Sequence, residues 1–182
     1  MTGRQPLPRL WLMTDERLGD ALWTALHRLP RRSGIVFRHY SLPRGERRLL
    51  FEQVRAVARR RGHLLLLAGD ARTARGWRAD GSHGRGRGAG LRTSPAHSLR
   101  EVRAAERAGA ALLFVSPVFE TRSHPNTPPL GRTGFHLLAA ATQLPVIALG
   151  GMDAQRARGL HGIYGWAAIA AWSDQKRNAV PR

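Results

Sequence analysis

Short apolar runs alternate with stretches of helical periodicity over most of the chain. Several of the runs are rich in Leu, Val or Ile, which is typical of strands buried in a parallel sheet. This order predicts repeated βα units in an α/β domain. The eight candidate strands are residues 10–14, 34–40, 64–68, 80–83, 89–93, 111–116, 146–149 and 165–169.

The clearest helix is predicted between the second and third strands, where apolar residues recur at i, i+4, i+7 and i+8 opposite an arginine-rich face. These residues are Leu50, Val54, Val57 and Ala58. A second helix is predicted to begin at Ser98, with Glu101 completing a capping box, and to end at Gly109.

Two of the expected helices are predicted to be shortened or missing. Residues 71–79 leave room for barely two turns, and residues 84–90 carry glycine at every other position. On pattern alone the chain fits either a trimmed (β/α)8 barrel or a doubly wound open sheet.

The length of 182 residues predicts one domain, 1–182, with peripheral tails at 1–9 and 173–182. The chain has no cysteine, no targeting signal and no apolar stretch of membrane-spanning length, so we expect a cytoplasmic protein that does not bind membranes. Its formal charge of +18 would suit nucleic acid. Because almost all the basic residues are arginine, a GC-rich genome explains the charge without nucleic-acid binding.

Residues 116–125 form a polar segment directly after a predicted buried strand. Within it, Thr121, Arg122, Ser123 and His124 bring two hydroxyls, a guanidinium and an imidazole together, which suits a phosphate or pyrophosphate. An ordinary polar surface loop is the alternative interpretation.

A second segment, residues 144–153, is a buried strand that ends in Gly150 and Gly151. Backbone N–H groups at such a turn can bind a phosphate, although the glycines could equally serve only to make a tight turn.

Together these segments resemble the thiamine phosphate synthase family and its TenI relatives, in which Ser-Pro-Val-Phe, a threonine-rich loop and Pro-Val-x-Ala-x-Gly-Gly follow one another. The resemblance extends upstream through Arg38, Asp70, residues 80–84 and Ser94, and it covers residues 10–172. It implies a compact (β/α)8 TIM barrel with some shortened helices.

The resemblance also implies a transferase of thiamine biosynthesis, which joins hydroxymethylpyrimidine pyrophosphate to thiazole phosphate and releases pyrophosphate. Its expected partners are these small phosphorylated substrates, and a homo-oligomer is compatible with it. The implied catalytic residues are Arg38, Asp70, Thr121, Ser123 and His124, and the implied phosphate-binding residues are Arg122, Ser94, Gly150 and Gly151. Asp70 is the implied Mg2+ ligand.

Several positions depart from the family pattern. Val36 and Tyr40 replace Gln and Lys beside Arg38, and His124 replaces a lysine. Residues 84–88 read Gly-Arg-Gly-Arg-Gly where the family carries its second Mg2+ carboxylate. Mg2+ is therefore expected to have one carboxylate ligand fewer. Either Arg85 or Arg87 supplies part of the positive charge that Mg2+ would provide, or the site has decayed.

Three functions remain open at this point. The chain is a thiamine phosphate synthase-like transferase, a degenerate barrel that binds a thiamine precursor or phosphate without turnover, or a basic nucleic-acid-binding protein. The tautomerisation carried out by the TenI branch is disfavoured, because Pro117 stands where that branch has its acid/base histidine.

Overall fold

The computed structural model describes residues 6–121 and 127–173. The strands are β1 (Leu10–Met13), β2 (Gly34–Phe37), β3 (Leu64–Ala68), β4 (Gly81–His83), β5 (Leu91–Ala96), β6 (Leu112–Val115), β7 (Val146–Ala148) and β8 (Gly165–Ala168). The helices are α1 (Ala21–Arg28), α2 (Arg44–Arg61), α3 (Ala71–Gly76), α4 (Leu99–Arg107), α5 (Gly131–Ala140) and α6 (Ala154–Arg158), with 3-10 turns at Glu16–Leu18 and Ala170–Trp172.

All eight strands are parallel, and they close into a barrel in sequence order. Closure is made by β1 pairing with β8, in a register that sets Trp11 opposite Ala167. The (β/α)8 prediction is confirmed, and the open-sheet alternative is wrong because an open sheet would leave these two strands unpaired.

Alternation along the strands separates two apolar layers. The inner layer fills the barrel with Trp11, Met13, Val36, Leu66, Ala68, Leu112, Phe114, Ile147 and Ala167. Within it, Trp11 meets Phe114 edge to face at 5.2 Å between ring centroids. The outer strand residues pack beneath the helices, as Phe37 does against Phe51 of α2.

The predicted trimming of the helices is confirmed. Helix α3 has 6 residues, and residues 84–90 between β4 and β5 form no helix. Arg92 of β5 is buried beneath this segment, and its guanidinium donates to the carbonyls of Gly86 and Ala108. The arginine therefore satisfies backbone acceptors where a helix would normally cover the sheet.

Some predicted boundaries are wrong, for local reasons. Strand β2 ends at Phe37 because His39 has a positive φ of 41°, and β5 runs from Leu91 to Ala96 rather than over residues 89–93. Ser98 caps α4 as predicted, at 3.3 Å from the N–H of Glu101. The Glu101 carboxylate accepts from the N–H of His97, at 2.6 Å, rather than completing the box on Ser98.

Candidate functional site

A cavity of about 830 Å³ opens at the carboxyl ends of the strands. Its wall comes from the loops after most of the strands, including Arg17, Arg38, Thr121 and the segment after β7, and from strand ends such as His83 of β4. Sites of TIM-barrel enzymes lie at this end, because the loops there can vary without disturbing the barrel. The cavity is therefore the candidate active site.

Arg38 projects into the cavity just beyond the end of β2, and two partners fix its guanidinium. Its Nε donates to the Thr14 carbonyl at 2.7 Å, and its Nη2 contacts the Asp15 carboxylate at 2.6 Å. Burial lowers the pKa of Arg38, while Asp15 opposes that shift. An arginine stays charged under such a shift, so Arg38 presents a positioned cation.

Asp15 also binds Arg17, whose Nε lies 2.6 Å from the carboxylate. The hydrogen bond from Arg17 is the main cause that lowers the pKa of Asp15 to about 2, and the charge of Arg38 adds to it. One carboxylate thus holds two arginines at the mouth of the barrel, and the three side chains carry a net charge of one.

His83 lies at the inner end of the cavity, on β4. Its Nδ1 is 2.9 Å from the Thr93 hydroxyl, and its ring meets Phe114 edge to face at 5.0 Å. Burial, with a smaller contribution from Arg38, lowers the pKa of His83 to about 3. The imidazole is therefore neutral near pH 7, and its contact with the Thr93 hydroxyl gives it a hydrogen-bonding role.

His97 lies at the cavity wall after β5. Its Nδ1 is 2.6 Å from the Ser116 carbonyl, and since a carbonyl only accepts, Nδ1 carries the proton. This contact joins the loop after β5 to the loop after β6.

The segment after β7 supplies exposed backbone donors. Gly150 and Gly151 have φ values of 95° and 63°, and a Cβ on Gly151 would lie 2.4 Å from the Glu120 carbonyl oxygen. Their carbonyls accept from Phe119 and Arg156. Among residues 6–121 and 127–173 their N–H groups have no acceptor, and an anion beside the cavity could accept from them.

The structure brings four predicted site residues together. Arg38, Thr121, Gly150 and Gly151 line one cavity, although they come from three separate loops. Arg122, Ser123 and His124 lie outside the described residues, so their predicted roles stay predictions.

Ser94 is not placed at the cavity. Neighbouring strand residues point to opposite faces, and on β5 it is Pro95 that lines the cavity. Ser94 is buried on the other face, where its hydroxyl is 3.3 Å from the Pro95 carbonyl.

Asp70 follows β3 at the same end of the barrel but does not line the cavity. Its carboxylate caps α3, with 2.8 Å to the Thr73 N–H and 2.7 Å to the Thr73 hydroxyl. Among residues 6–121 and 127–173, no three His, Asp or Glu side chains cluster as a metal site.

Arg85 and Arg87 are also absent from the cavity wall. Arg85 is exposed and pairs with Glu101 at 2.7 Å. Their positions do not support the prediction that either replaces a metal charge.

Sequence reasoning missed Asp15, Arg17 and Arg156; Arg17 and Arg156 line the cavity, and Asp15 pairs with Arg17 and Arg38. The first two follow β1 directly, so the rule that sites lie after barrel strands would have indicated them. Arg156 gave no comparable signal, because it lies in a short polar helix.

Comparison with known proteins agrees with this geometry. The family model described as thiamine monophosphate synthase matches residues 93–172. The Aquifex aeolicus protein named Putative thiamine-phosphate synthase 2 is 29% identical over 184 residues, which cover 92% of this chain and 99% of that protein. Over nearly its whole length, this chain is therefore similar to proteins described as thiamine phosphate synthases.

Two further proteins resemble this chain, one over part of its sequence and one in its fold. A thiamine-phosphate synthase of Salinispora arenicola is 45% identical over 69 residues, covering 36% of this chain and 33% of that one. The solved thiamine phosphate pyrophosphorylase of Pyrococcus furiosus shares the fold, with a TM-score of 0.77, 24% identity and coverage of 92% and 88%. The predicted resemblance to the thiamine phosphate synthase and TenI family is confirmed. In the described part of the chain, no helix has both the length and the hydropathy to cross a membrane.

Proposed function

We propose that this chain joins hydroxymethylpyrimidine pyrophosphate to thiazole phosphate, forming thiamine phosphate and pyrophosphate. Similarity to thiamine phosphate synthases supports a transferase of this kind acting on small phosphorylated substrates. The observation that carries the proposal is one cavity shared by the Arg38 cation and the free N–H groups of Gly150 and Gly151.

The chemistry needs charge stabilisation more than it needs a base. The C–O bond to the pyrophosphate breaks with its electron pair going to the leaving oxygen, and the thiazole nitrogen lone pair then forms the new C–N bond. Neutral His83 is not required to move a proton in either step.

In this proposal Arg38 stabilises the negative charge that develops on the leaving pyrophosphate. Its guanidinium is already oriented by Thr14 and Asp15, so little reorganisation is needed when substrate binds. Thr121 lies beside the same phosphates, and the Gly150 and Gly151 N–H groups bind the phosphate of the thiazole.

Mg2+ is part of the proposal only as an ion brought by the substrate. Mg2+ sites often use one or two carboxylates together with substrate phosphates, and Asp70 is the carboxylate proposed here. Bound Mg2+ would offset negative charge on the leaving pyrophosphate, and Asp70 would help to hold the ion.

The test is to incubate the purified chain with Mg2+ and both substrates and to measure thiamine phosphate and released pyrophosphate. We expect product, and Arg38→Gln should lower kcat/KM by roughly 100- to 1,000-fold. The exposed Arg48→Gln on α2 is the matched control and should behave as wild type. Absence of product from the wild-type chain would overturn the proposal.

Binding without turnover is the second candidate function, and two side chains favour it. Val36, where the family has a polar residue, is buried in the inner apolar layer, and Tyr40 at the cavity carries no cation. On this alternative, phosphate ligands raise the melting temperature while no thiamine phosphate forms.

A further inference from the structure

Arg156 lines the cavity beside the glycine pair, in the first turn of α6. Its Nη1 donates to the Gly151 carbonyl, and the guanidinium lies over the Phe119 ring at 5.1 Å from the centroid. Its backbone N–H donates to the Asp153 carboxylate at 2.8 Å, which fixes the start of the side chain. Stacking and hydrogen bonding together restrict a normally mobile arginine.

Among the described residues, three arginines line the cavity wall, and they differ in their charge environment. Arg17 and Arg38 both pair with Asp15 at 2.6 Å. Within the described part of the chain, Arg156 has no carboxylate oxygen within 4.0 Å of its guanidinium. Its positive charge is therefore the least neutralised of the three, while most of its N–H donors are uncommitted.

Backbone hydrogen bonds hold the aromatic ring and the glycine pair together. The N–H of Phe119 donates to the Gly150 carbonyl at 3.1 Å, and the N–H of Val118 donates to the Leu149 carbonyl at 2.9 Å. The loop after β6 and the loop after β7 therefore form one platform. A Cβ on Gly151 would lie only 3.0 Å from Nη1 of Arg156, so the guanidinium is adjacent to the free N–H groups.

We propose that Arg156 binds the phosphate of the thiazole substrate and makes the site select the phosphorylated thiazole over the free alcohol. The inference rests on the proposed function, because it takes the glycine pair as the subsite for that phosphate. A guanidinium can grip a phosphate dianion with two parallel N–H bonds, and backbone donors can complete its shell. Unphosphorylated thiazole offers no such partner, so its affinity is independent of Arg156.

The test is equilibrium calorimetry of thiazole phosphate and of thiazole alcohol, without the pyrimidine substrate. Arg156→Gln should weaken thiazole phosphate binding by roughly 10- to 100-fold and leave the alcohol unchanged. Arg156→Lys should recover part of the loss. Arg158→Gln, at an exposed position of the same helix away from the cavity, is the matched control and should bind both ligands as wild type does.

The outcomes distinguish failure of this inference from failure of the proposed function. The inference is overturned if the wild-type chain shows no preference for the phosphorylated thiazole. It is also overturned if Arg156→Gln binds both ligands with wild-type affinity, or if the substitution lowers the affinity for both ligands equally. If the wild-type chain forms no thiamine phosphate but shows the Arg156-dependent preference, the proposed function fails and the inference stands. Melting temperatures of both variants, measured alongside, show whether the fold is intact.

Discussion

Asp15 and Arg38 form an ion pair of 2.6 Å at the mouth of the barrel, and the same carboxylate binds Arg17. The arginine expected to meet pyrophosphate is thus oriented by an acid that also cancels part of the positive charge. Because the Arg38 guanidinium is held in position and its charge is partly neutralised, it favours binding of the pyrophosphate in one orientation.

This pairing predicts a loss of stability in acid. Because its folded pKa is lowered from 3.8 to about 2, Asp15 contributes stability above pH 4 that is lost as pH falls toward 2. The contribution is about 2 kcal/mol. Asp15→Asn should be less stable than wild type at pH 7 and should lack this part of the slope, as measured by urea unfolding from pH 7 to pH 2.

Asp20→Asn is the control for that series. Asp20 is exposed and makes no side-chain capping bond at the start of α1. Its variant should keep the wild-type slope between pH 4 and pH 2. An Asp15→Asn profile parallel to wild type over that range would contradict the assignment.

The strands could be predicted because buried parallel strands are short apolar runs between polar stretches. β3 was predicted at its observed bounds, Leu64–Ala68, as all five residues are apolar. β5 was misplaced because its second half contains Ser94 and Pro95, which are uncommon in strands. Ser94 was assigned to the site by the family resemblance alone, whereas in the structure its neighbour Pro95 faces the cavity.

Residues of the site could be predicted only where a short segment of the sequence contains the functional groups. Gly150 and Gly151 stand out as a pair directly after an apolar strand, and Arg38 follows another. The ion pair with Asp15 joins residues 23 positions apart, which no local pattern encodes. Arg156 depends on how a five-residue helix turns toward Phe119, and that orientation is set by packing.

Asp70 supports two roles that substitution can separate. It caps α3 through both carboxylate oxygens, and it is the proposed Mg2+ ligand. Asparagine caps helices as well as aspartate, so Asp70→Asn should keep the melting temperature while lowering kcat by roughly 100-fold or more. Asp70→Ala should also lower the melting temperature by roughly 2–4 °C. Full activity in Asp70→Asn would leave this residue with the capping role alone.

Substitution of Gly151 tests whether the platform formed by the loops after β6 and β7 supports the phosphate subsite. Gly151→Ala places a side chain at φ 63°, with its Cβ 2.4 Å from the Glu120 carbonyl oxygen, so the loop must shift. Gly162→Ala meets similar strain at φ 69° but has no atom within 4 Å. Both should lose about 1–3 kcal/mol of unfolding free energy, and only Gly151→Ala should weaken thiazole phosphate binding in calorimetry. Equal affinities in the two variants would place the phosphate elsewhere.

Gly34 lies against Trp11 in the barrel interior, and this packing predicts how a substitution at Gly34 changes stability. A Cβ at Gly34 would approach the Trp11 ring to 2.1 Å, and the ring is enclosed by the inner apolar layer, where it also meets Phe114. Gly34→Ala should therefore lower the free energy of unfolding by about 1–3 kcal/mol or more in urea titration. Gly45→Ala, in the exposed first turn of α2 with no atom within 4 Å, should be neutral or stabilised by up to about 1 kcal/mol. If Gly34→Ala were as stable as Gly45→Ala, the close packing of Trp11 on β2 would be wrong.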